Sequence, residues 1–407
     1  MDESTVKKIL SIIPGAKRAA QGVIIPGNDG TFLHVFDMHD KKSLDGLTQD
    51  ETFFFAFCSK SEILRLREIR GAHDYLLRLR AMAIVDSPRA VRVMRTRRSK
   101  FESTGRPWSL THYYHSKDSY HKSYINLLNR SNAKSVKNIP AGLAFVPEVN
   151  ALCIRSLAGD VIITSESLEH LYYFMSIAFY GEQLGIKPID QVDALVIAIR
   201  IMNGSEALDF DIDPRGNLGH ELERTISNLV KAQMQFTFGH EYAHLLCGHL
   251  SSDDTPNEAT LTDNSSGLLR DLKTYNHDLE YQADLFALKN IEHNKDAYLT
   301  ISHGAFSVLF YLHFLETVRK PCGLKELSIS STHPTSLDRV VNLHKNLGKR
   351  SPVAEKTLDS MLAKSNELSK LLAHRLKHDD RPEILTFYGS IYLRSYVSRA
   401  KLDRYEF

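Results

Sequence analysis

Apolar side chains recur every three to four residues along most of the chain, the spacing that places them on one face of an α-helix. Glycine, proline and small polar residues divide this pattern into separate segments. The predicted helical segments are 48–94, 165–185, 217–250, 271–292, 294–318, 352–378 and 381–407. Gly219 and Gly239 leave open whether 217–250 is one helix or two. We therefore expect a mainly helical protein.

Two parts of the chain carry short β-rich runs instead. Residues 22–25 and 31–36 flank a turn rich in Pro, Gly, Asn and Asp, which predicts a β-hairpin. Three further runs, separated by turn residues, predict a small antiparallel sheet. They are residues 143–146, 151–154 and 161–164. The expected fold class is α+β, with an N-terminal α/β extension.

The composition is ordinary for a soluble globular protein: 43% of the 407 residues are hydrophobic and 25% are charged. The four cysteines form no Cys-x-x-Cys pair, so neither a thiolate metal site nor a disulfide framework is predicted. Residues 1–15 do not have the pattern of a signal peptide, and no apolar run reaches the length of a membrane span. We expect a cytoplasmic protein without a membrane span.

Positive charge is concentrated in residues 89–100, and aromatic residues follow as far as residue 124. The basic residues are Arg92, Arg95, Arg97, Arg98 and Lys100, and the aromatic ones are Trp108, Tyr113, Tyr114, Tyr120 and Tyr124. One interpretation of 89–124 is a surface for an acidic or nucleic-acid partner, with aromatic rings that stack on bases. The other is a solvated helix face with its ion-pair partners, which charge runs usually form.

A His-Glu-x-x-His sequence ends the 217–250 segment. Residues four apart on a helix lie one above the other, so His240 and His244 direct two imidazoles at one point, which suits a zinc ion. Glu241 lies about 100° around the helix, where its carboxylate can take a proton from a water on the metal. The motif predicts Zn²⁺ as cofactor, His240 and His244 as ligands, and Glu241 as general base.

A catalytic zinc site needs a third protein ligand and one open position. Glu280 is the best candidate, because Glu280 and Asp284 lie four apart on one predicted helical face. Asp284 would accept the second ring N–H of a ligating histidine and fix its tautomer. His249 is better explained by a helix-end position than by a ligand role. The other downstream candidates are His277, Asp278 and His333. Residues 251–267 are rich in Ser, Asp, Thr, Asn and Gly and predict a surface loop that could cover the site.

The two motifs together, His240-Glu241-x-x-His244 and Glu280-x-x-Ala283-Asp284, resemble those of the gluzincin metallopeptidases. Residues 331–339 (Ser-Thr-His-Pro-Thr-Ser-Leu-Asp-Arg) resemble the Ser-x-His-Pro…Arg segment of the Ste24/HtpX-type zinc proteases. The resemblance implies zinc ligands at His240, His244 and Glu280, a general base at Glu241, a supporting carboxylate at Asp284, and His333 and Arg339 near the active centre.

Residues 235–241 (Gln-Phe-Thr-Phe-Gly-His-Glu) are also similar to the soluble ImmA/IrrE proteases, and more loosely to the Lit peptidases. The Ste24 and HtpX proteins are embedded in membranes, so their membrane substrates are not expected here. The resemblance covers about residues 235–343 and implies a zincin-like metalloprotease domain, mainly helical with a small antiparallel sheet. We place this domain at residues 139–350, because short β-rich runs begin near 139–140. Residues 1–138 are then an N-terminal basic domain of unassigned role, and residues 351–407 are C-terminal helices that pack on the protease domain.

The expected function is a zinc-dependent endopeptidase that hydrolyses peptide bonds of a cytoplasmic protein. Glu241 would deprotonate the attacking water, and His333 or Arg339 would help the zinc to hold the oxyanion. The alternative is a non-catalytic, zinc-containing regulatory or nucleic-acid-associated binding protein.

Overall fold

The computed structural model describes residues 3–19, 22–27, 32–35, 44–85, 88–117, 119–146, 148–250, 258–260, 277–322, 334–379, 383–386 and 389–397. These residues form an α+β fold that is mainly helical and has two small sheets. The helices are α1 (Glu3–Ile12), α2 (Gln49–Phe54), α3 (Lys60–Leu66), α4 (Ala72–Val85), α5 (Pro88–Glu102), α6 (Leu110–Lys117), α7 (Ser119–Ile125), α8 (Arg130–Val136), α9 (Glu166–Tyr180), α10 (Pro188–Met202), α11 (His220–Leu246), α12 (His277–Lys289), α13 (Lys295–Val318), α14 (Ser336–Leu347) and α15 (Glu355–Lys377). The strands are β1 (Lys17–Arg18), β2 (Val23–Pro26), β3 (Phe32–Val35), β4 (Ala141–Ala144), β5 (Ala151–Ser156), β6 (Gly159–Ser165) and β7 (Glu258–Thr260).

The N-terminal sheet contains the predicted hairpin. β2 pairs with β3 in antiparallel register, from Val23 opposite Val35 to Pro26 opposite Phe32. β1 adds a short antiparallel edge to β2. The hairpin prediction is confirmed.

The second sheet has the order β4-β6-β5-β7. β5 and β6 form an antiparallel hairpin, and β7 pairs antiparallel with β5, but β4 runs parallel to β6. The predicted antiparallel sheet is therefore mixed: β6 lies between β4 and β5, parallel to β4 and antiparallel to β5. β7 also lies inside 251–267, where we expected only a loop; the rest of that range lies outside the described residues.

Helix α11 is continuous through Gly239, which resolves the question of one helix or two. A Cβ built on Gly239 would lie 2.5 Å from the ring of Tyr124 in α7. On α13, a Cβ at Gly304 would lie 2.7 Å from the backbone of Ala232 in α11. The glycines allow α7 and α13 to pack directly against α11, so both contacts fix the position of this helix.

One buried hydrophobic cluster connects distant parts of the chain. It contains Phe57 and Tyr124 from the N-terminal segment, Phe236 and Tyr311 from the middle, and Leu393 near the end. Side chains from all three predicted domains therefore pack together. The boundaries at 138 and 350 stay a prediction.

The end of the chain differs from the prediction. α15 falls within the predicted 352–378 helix, but the described residues of 381–407 contain a 3-10 turn at Arg394–Tyr396 and no α-helix. Their backbone groups bond to other elements instead: the Leu393 N–H donates to the carbonyl of Arg215 and the Ser395 N–H donates to Asp190 of α10, each at 2.9 Å. The expected C-terminal helix is therefore wrong in the described part.

Helix α13 is the single described helix whose length and hydropathy would suit a membrane span. The protein interior buries 72% of its most apolar window, so it packs as a core helix.

The basic segment is only partly exposed. Arg97 is buried and pairs with Glu166 of α9 at 2.7 Å, and also contacts Asp211. The aromatic residues that we expected to stack on bases pack inside the protein instead: Trp108, Tyr113, Tyr114 and Tyr124 are buried. The buried rings do not form a stacking surface. Arg95 and Lys100 are exposed, as expected of a solvated helix face, whereas Arg97 is enclosed by partners that are distant in sequence.

Candidate metal centre

Helix α11 brings two imidazoles together at its buried C-terminal end. His240 and His244 lie one turn apart, and their Nε2 atoms are separated by 3.1 Å. Both side chains are fully buried. The arrangement is the one expected from their spacing.

Helix α12 packs on α11 and adds a carboxylate. The Oε2 atom of Glu280 lies 3.5 Å from His240 Nε2, and its Oε1 atom lies 3.7 Å from His244 Nε2. Two ligand atoms on a tetrahedral zinc, each about 2.0–2.2 Å from the ion, are about 3.3–3.6 Å apart. The donor set of two nitrogens and one oxygen therefore has the chemistry and the spacing for a divalent ion such as zinc.

Asp284 lies one turn beyond Glu280 and contacts the other side of His240. Its Oδ1 atom is 2.9 Å from His240 Nδ1. Arg339 of α14 donates to both oxygens of Asp284, from Nε at 2.8 Å and from Nη2 at 2.7 Å. Asp284 thus accepts the Nδ1–H of His240, which leaves the lone pair of Nε2 directed at the centre.

Arg339 is buried and faces carboxylates on both sides. Besides Asp284, its Nη1 atom lies 3.8 Å from Glu280 Oε2. The guanidinium is therefore placed to hold Asp284 and to offset the negative charge of Glu280. This geometry favours a positioning role over the expected contact with an oxyanion.

His249 belongs to the centre in a way that the sequence reasoning missed. α11 ends in a Schellman turn, in which Gly248 has φ +71° and the His249 N–H donates to the His244 carbonyl at 2.9 Å. The turn folds His249 back, so that its Nδ1 lies 2.9 Å from His244 Nδ1, and its Nε2 lies 3.2 Å from Gln282 Oε1. If His249 donates to Gln282, it accepts the Nδ1–H of His244 and leaves His244 Nε2 for the centre.

Tyr124 is a second residue that the sequence did not link to the centre. Its ring packs against Gly239 of α11, and its hydroxyl donates to the Ala287 carbonyl of α12 at 2.7 Å. It therefore contacts both helices that carry the three donor groups. No local sequence signal connects Tyr124 with residues more than 100 positions away.

The electrostatics favour a positive charge between the three donor groups. Burial alone would lower the pKa of His240, but its hydrogen bonds with Asp284 and Glu280 raise this pKa to about 9. Burial and the charge of His240 lower the pKa of His244. Burial opposes the ionisation of Glu280, yet its contacts with His240 and Arg339 lower its pKa. A proton on His240, or a metal ion between the three donor groups, would supply this positive charge.

Glu241 follows His240 in α11 and is fully buried. Burial raises the pKa of Cys153 on β5, and the negative charge of Glu241 raises it further. His333 lies outside the described residues, so its role stays a prediction. Pro334 and Thr335 follow it, and the Thr335 side chain caps α14 by accepting from Asp338 N–H at 3.1 Å.

Comparison with known families gives a match to part of the chain. The family model of Peptidase U49 matches residues 211–356, a range that contains α11, α12 and α14. The match supports a peptidase family. It covers the three donor groups and also Asp284, His249 and Arg339. No curated protein and no solved structure matches the chain. The closer resemblances to the gluzincin, Ste24/HtpX and ImmA/IrrE proteases are not tested by this comparison.

Proposed function

We propose that the protein is a zinc-dependent endopeptidase, and that His240, His244 and Glu280 hold the ion. The observation that carries the proposal is the spacing of their donor atoms, between 3.1 and 3.7 Å. The peptidase family match over the same residues supports it. The zincin-like identity of the fold belongs to this proposal.

A zinc ion bound here would polarise a water molecule and lower its pKa. Glu241 would accept a proton from that water and return it to the leaving amine of the cleaved peptide bond. Its burial keeps bulk water from competing for the carboxylate. His240 and His244 would be neutral ligands whose outer nitrogens are held by Asp284 and His249.

Arg339 acts in this proposal through Asp284 rather than on the substrate, because two of its nitrogens already contact that carboxylate. His333 is proposed as the oxyanion donor on the basis of the Ser-x-His-Pro resemblance. The substrate is a protein or a peptide, as the peptidase family implies. We propose a cytoplasmic protein, because the cysteines predict no disulfide framework.

Proteolysis in cells tests this function. New protein N-termini would be compared by mass spectrometry between cells that express the wild type and cells that express Glu241→Gln at equal level. We expect a set of cleavage sites that depends on Glu241, since the amide cannot accept the proton of the water. Equal cleavage by both proteins would contradict the proposed role of Glu241 as general base.

A structural metal clamp is the second candidate, because His240, Glu241, His244 and Glu280 are all fully buried. Cobalt substitution separates the two candidates. A catalytic ion keeps an open position, so an added hydroxamate changes the visible spectrum of the cobalt protein. A clamp with four protein ligands leaves the spectrum unchanged.

A further inference from the structure

A second site lies at the opposite end of α11 from the metal centre. A cavity of about 660 Å³ opens between α7, α9, the segment 210–219 and the first turns of α11. Its volume is in the range of small-molecule sites. Glu223, at this end, is 17 residues before His240 on the same helix, a distance of about 25 Å at 1.5 Å per residue. The cavity is therefore separate from the centre described above.

Aromatic rings form much of the cavity wall. Phe174 and Phe210 are buried with ring centroids 5.2 Å apart, and the His170 ring lies 4.4 Å from Phe210. Tyr120 and Tyr173 are partly exposed at the cavity. The faces of phenyl and phenol rings carry negative partial charge and attract cations.

Carboxylates add negative charge to this wall. Glu169, Asp211 and Glu223 line the cavity, and among its described lining residues there is no lysine or arginine. Asp211 pairs with Arg97, which lies outside this lining. The other two accept hydrogen bonds from phenols: Glu169 from Tyr120 at 2.5 Å and Glu223 from Tyr173 at 2.6 Å. Arg97 offsets Asp211, so the negative charge of the cavity comes from Glu223 and from Glu169 when it is ionised.

Two ionisable groups of the cavity wall, Glu169 and His170, have shifted pKa values. Burial raises the pKa of Glu169 to about 7, and the charge of Glu166 adds to this effect. Burial lowers the pKa of His170 to about 4, so its ring is neutral near pH 7 and supplies no counter-charge. Its Nε2 atom is buried and has no hydrogen-bond partner in the part of the chain that the structure describes. A positively charged ligand would favour the ionised form of Glu169.

We propose that this cavity binds an organic cation, with its charge between Glu169 and Glu223 and its carbon atoms against Phe174, Phe210 and the two tyrosines. The ligand class is a guanidinium or an alkylammonium group. It is carried either by a basic side chain of a protein or by a free polyamine. Both would combine contact over aromatic faces with charge-assisted hydrogen bonds to carboxylates.

Isothermal titration calorimetry of the full chain tests the site with three probes: N-acetylarginine methylamide, its neutral citrulline counterpart and spermidine. We expect the wild type to bind at least one of the two cations in the millimolar range or better, and to bind the citrulline compound at least about tenfold more weakly. Preference for the arginine probe would indicate a basic side chain, and preference for spermidine a polyamine.

Three variants locate the binding. Glu169→Gln and Glu223→Gln should each weaken the binding of the cation about fivefold or more. The matched control is Glu221→Gln, which removes the same charge from an exposed position on α11 that does not line the cavity. If Glu169→Gln does not fold, Glu223→Gln alone tests the proposal, because Glu223 is exposed and its replacement should leave the fold intact. Equal binding of arginine and citrulline probes, no binding of either cation, or equal weakening by Glu221→Gln would overturn the proposal. The metal centre takes no part in this assay, so its outcome is independent of peptidase activity.

Discussion

His244 and His249 meet through their Nδ1 atoms, 2.9 Å apart, because the turn at Gly248 folds the chain back onto the end of α11. A ligand histidine is oriented by the group that its second nitrogen contacts. His249 occupies that place for His244, as Asp284 does for His240. Each proposed imidazole ligand is therefore held from behind by one further side chain.

We predict that His249→Ala lowers zinc affinity by about 10–100-fold, because His244 loses the group that fixes its tautomer. Competition with a chromophoric chelator measures this directly. His293→Ala, which removes an exposed histidine, is the matched control and should leave the affinity unchanged. An unaltered affinity in His249→Ala would show that the contact has no positioning role.

Arg339→Met should destabilise the protein by about 3–5 kcal/mol, because it leaves the buried carboxylate of Asp284 without its guanidinium. The free energy of unfolding from urea titration of the metal-free protein measures the effect. Arg350→Met is the control: its pair with Glu292 is exposed and should contribute less than about 1 kcal/mol. Equal effects of the two substitutions would contradict the burial of the Arg339–Asp284 pair.

Gly239→Ala should lower the free energy of unfolding by about 1–3 kcal/mol or more, since the new methyl group would overlap the ring of Tyr124. Gly239 directly precedes His240 in α11. Gly71→Ala, at a position where an added Cβ meets open space, should be nearly neutral. A double-mutant cycle completes the test: in the Tyr124→Ala background, Gly239→Ala should lose most of its cost. An undiminished cost there would mean that Tyr124 is not the obstacle.

Glu169 gives a prediction on pH. Its pKa in the folded protein is raised to about 7, above the value near 4.5 of an unfolded chain. The folded state therefore binds more protons between these values, and the contribution of Glu169 to stability is lost as the pH rises from about 4.5 through 7. Relative to wild type, Glu169→Gln should gain about 1–3 kcal/mol between pH 5 and pH 8. Tyr120, Lys117, Arg97 and Glu166 face or influence this carboxyl group, and the substitution leaves them in place. Urea titrations at both pH values measure the gain, and a constant difference would contradict the shift.

The centre was predictable where its geometry is local. The four-residue spacing of His240 and His244, and of Glu280 and Asp284, fixes two helical faces without knowledge of the fold. Where the faces meet depends on packing that no local pattern contains. Tyr124 shows this: its aromatic character suggested base stacking, but in the fold it contacts both helices.

The remaining differences have the same origin. His249 could have been found from the Gly248-His249 pair at a helix end, because a Schellman turn places the second residue back over the last turn. The direction of β4 and the C-terminal 3-10 turn could not, since both depend on hydrogen bonds to distant strands and loops. Arg97 was likewise taken for a surface residue, because its partner Glu166 is 69 positions away.

Metal content tests the central proposal most directly. Purified wild type, Glu241→Gln, His244→Ala and Glu280→Ala would be dialysed in zinc-containing buffer, freed of unbound metal and analysed by inductively coupled plasma mass spectrometry. We predict close to one zinc per chain in wild type and Glu241→Gln, and a large loss in His244→Ala and Glu280→Ala. Zinc retained in full by both ligand variants, or absent from the wild type, would contradict the account.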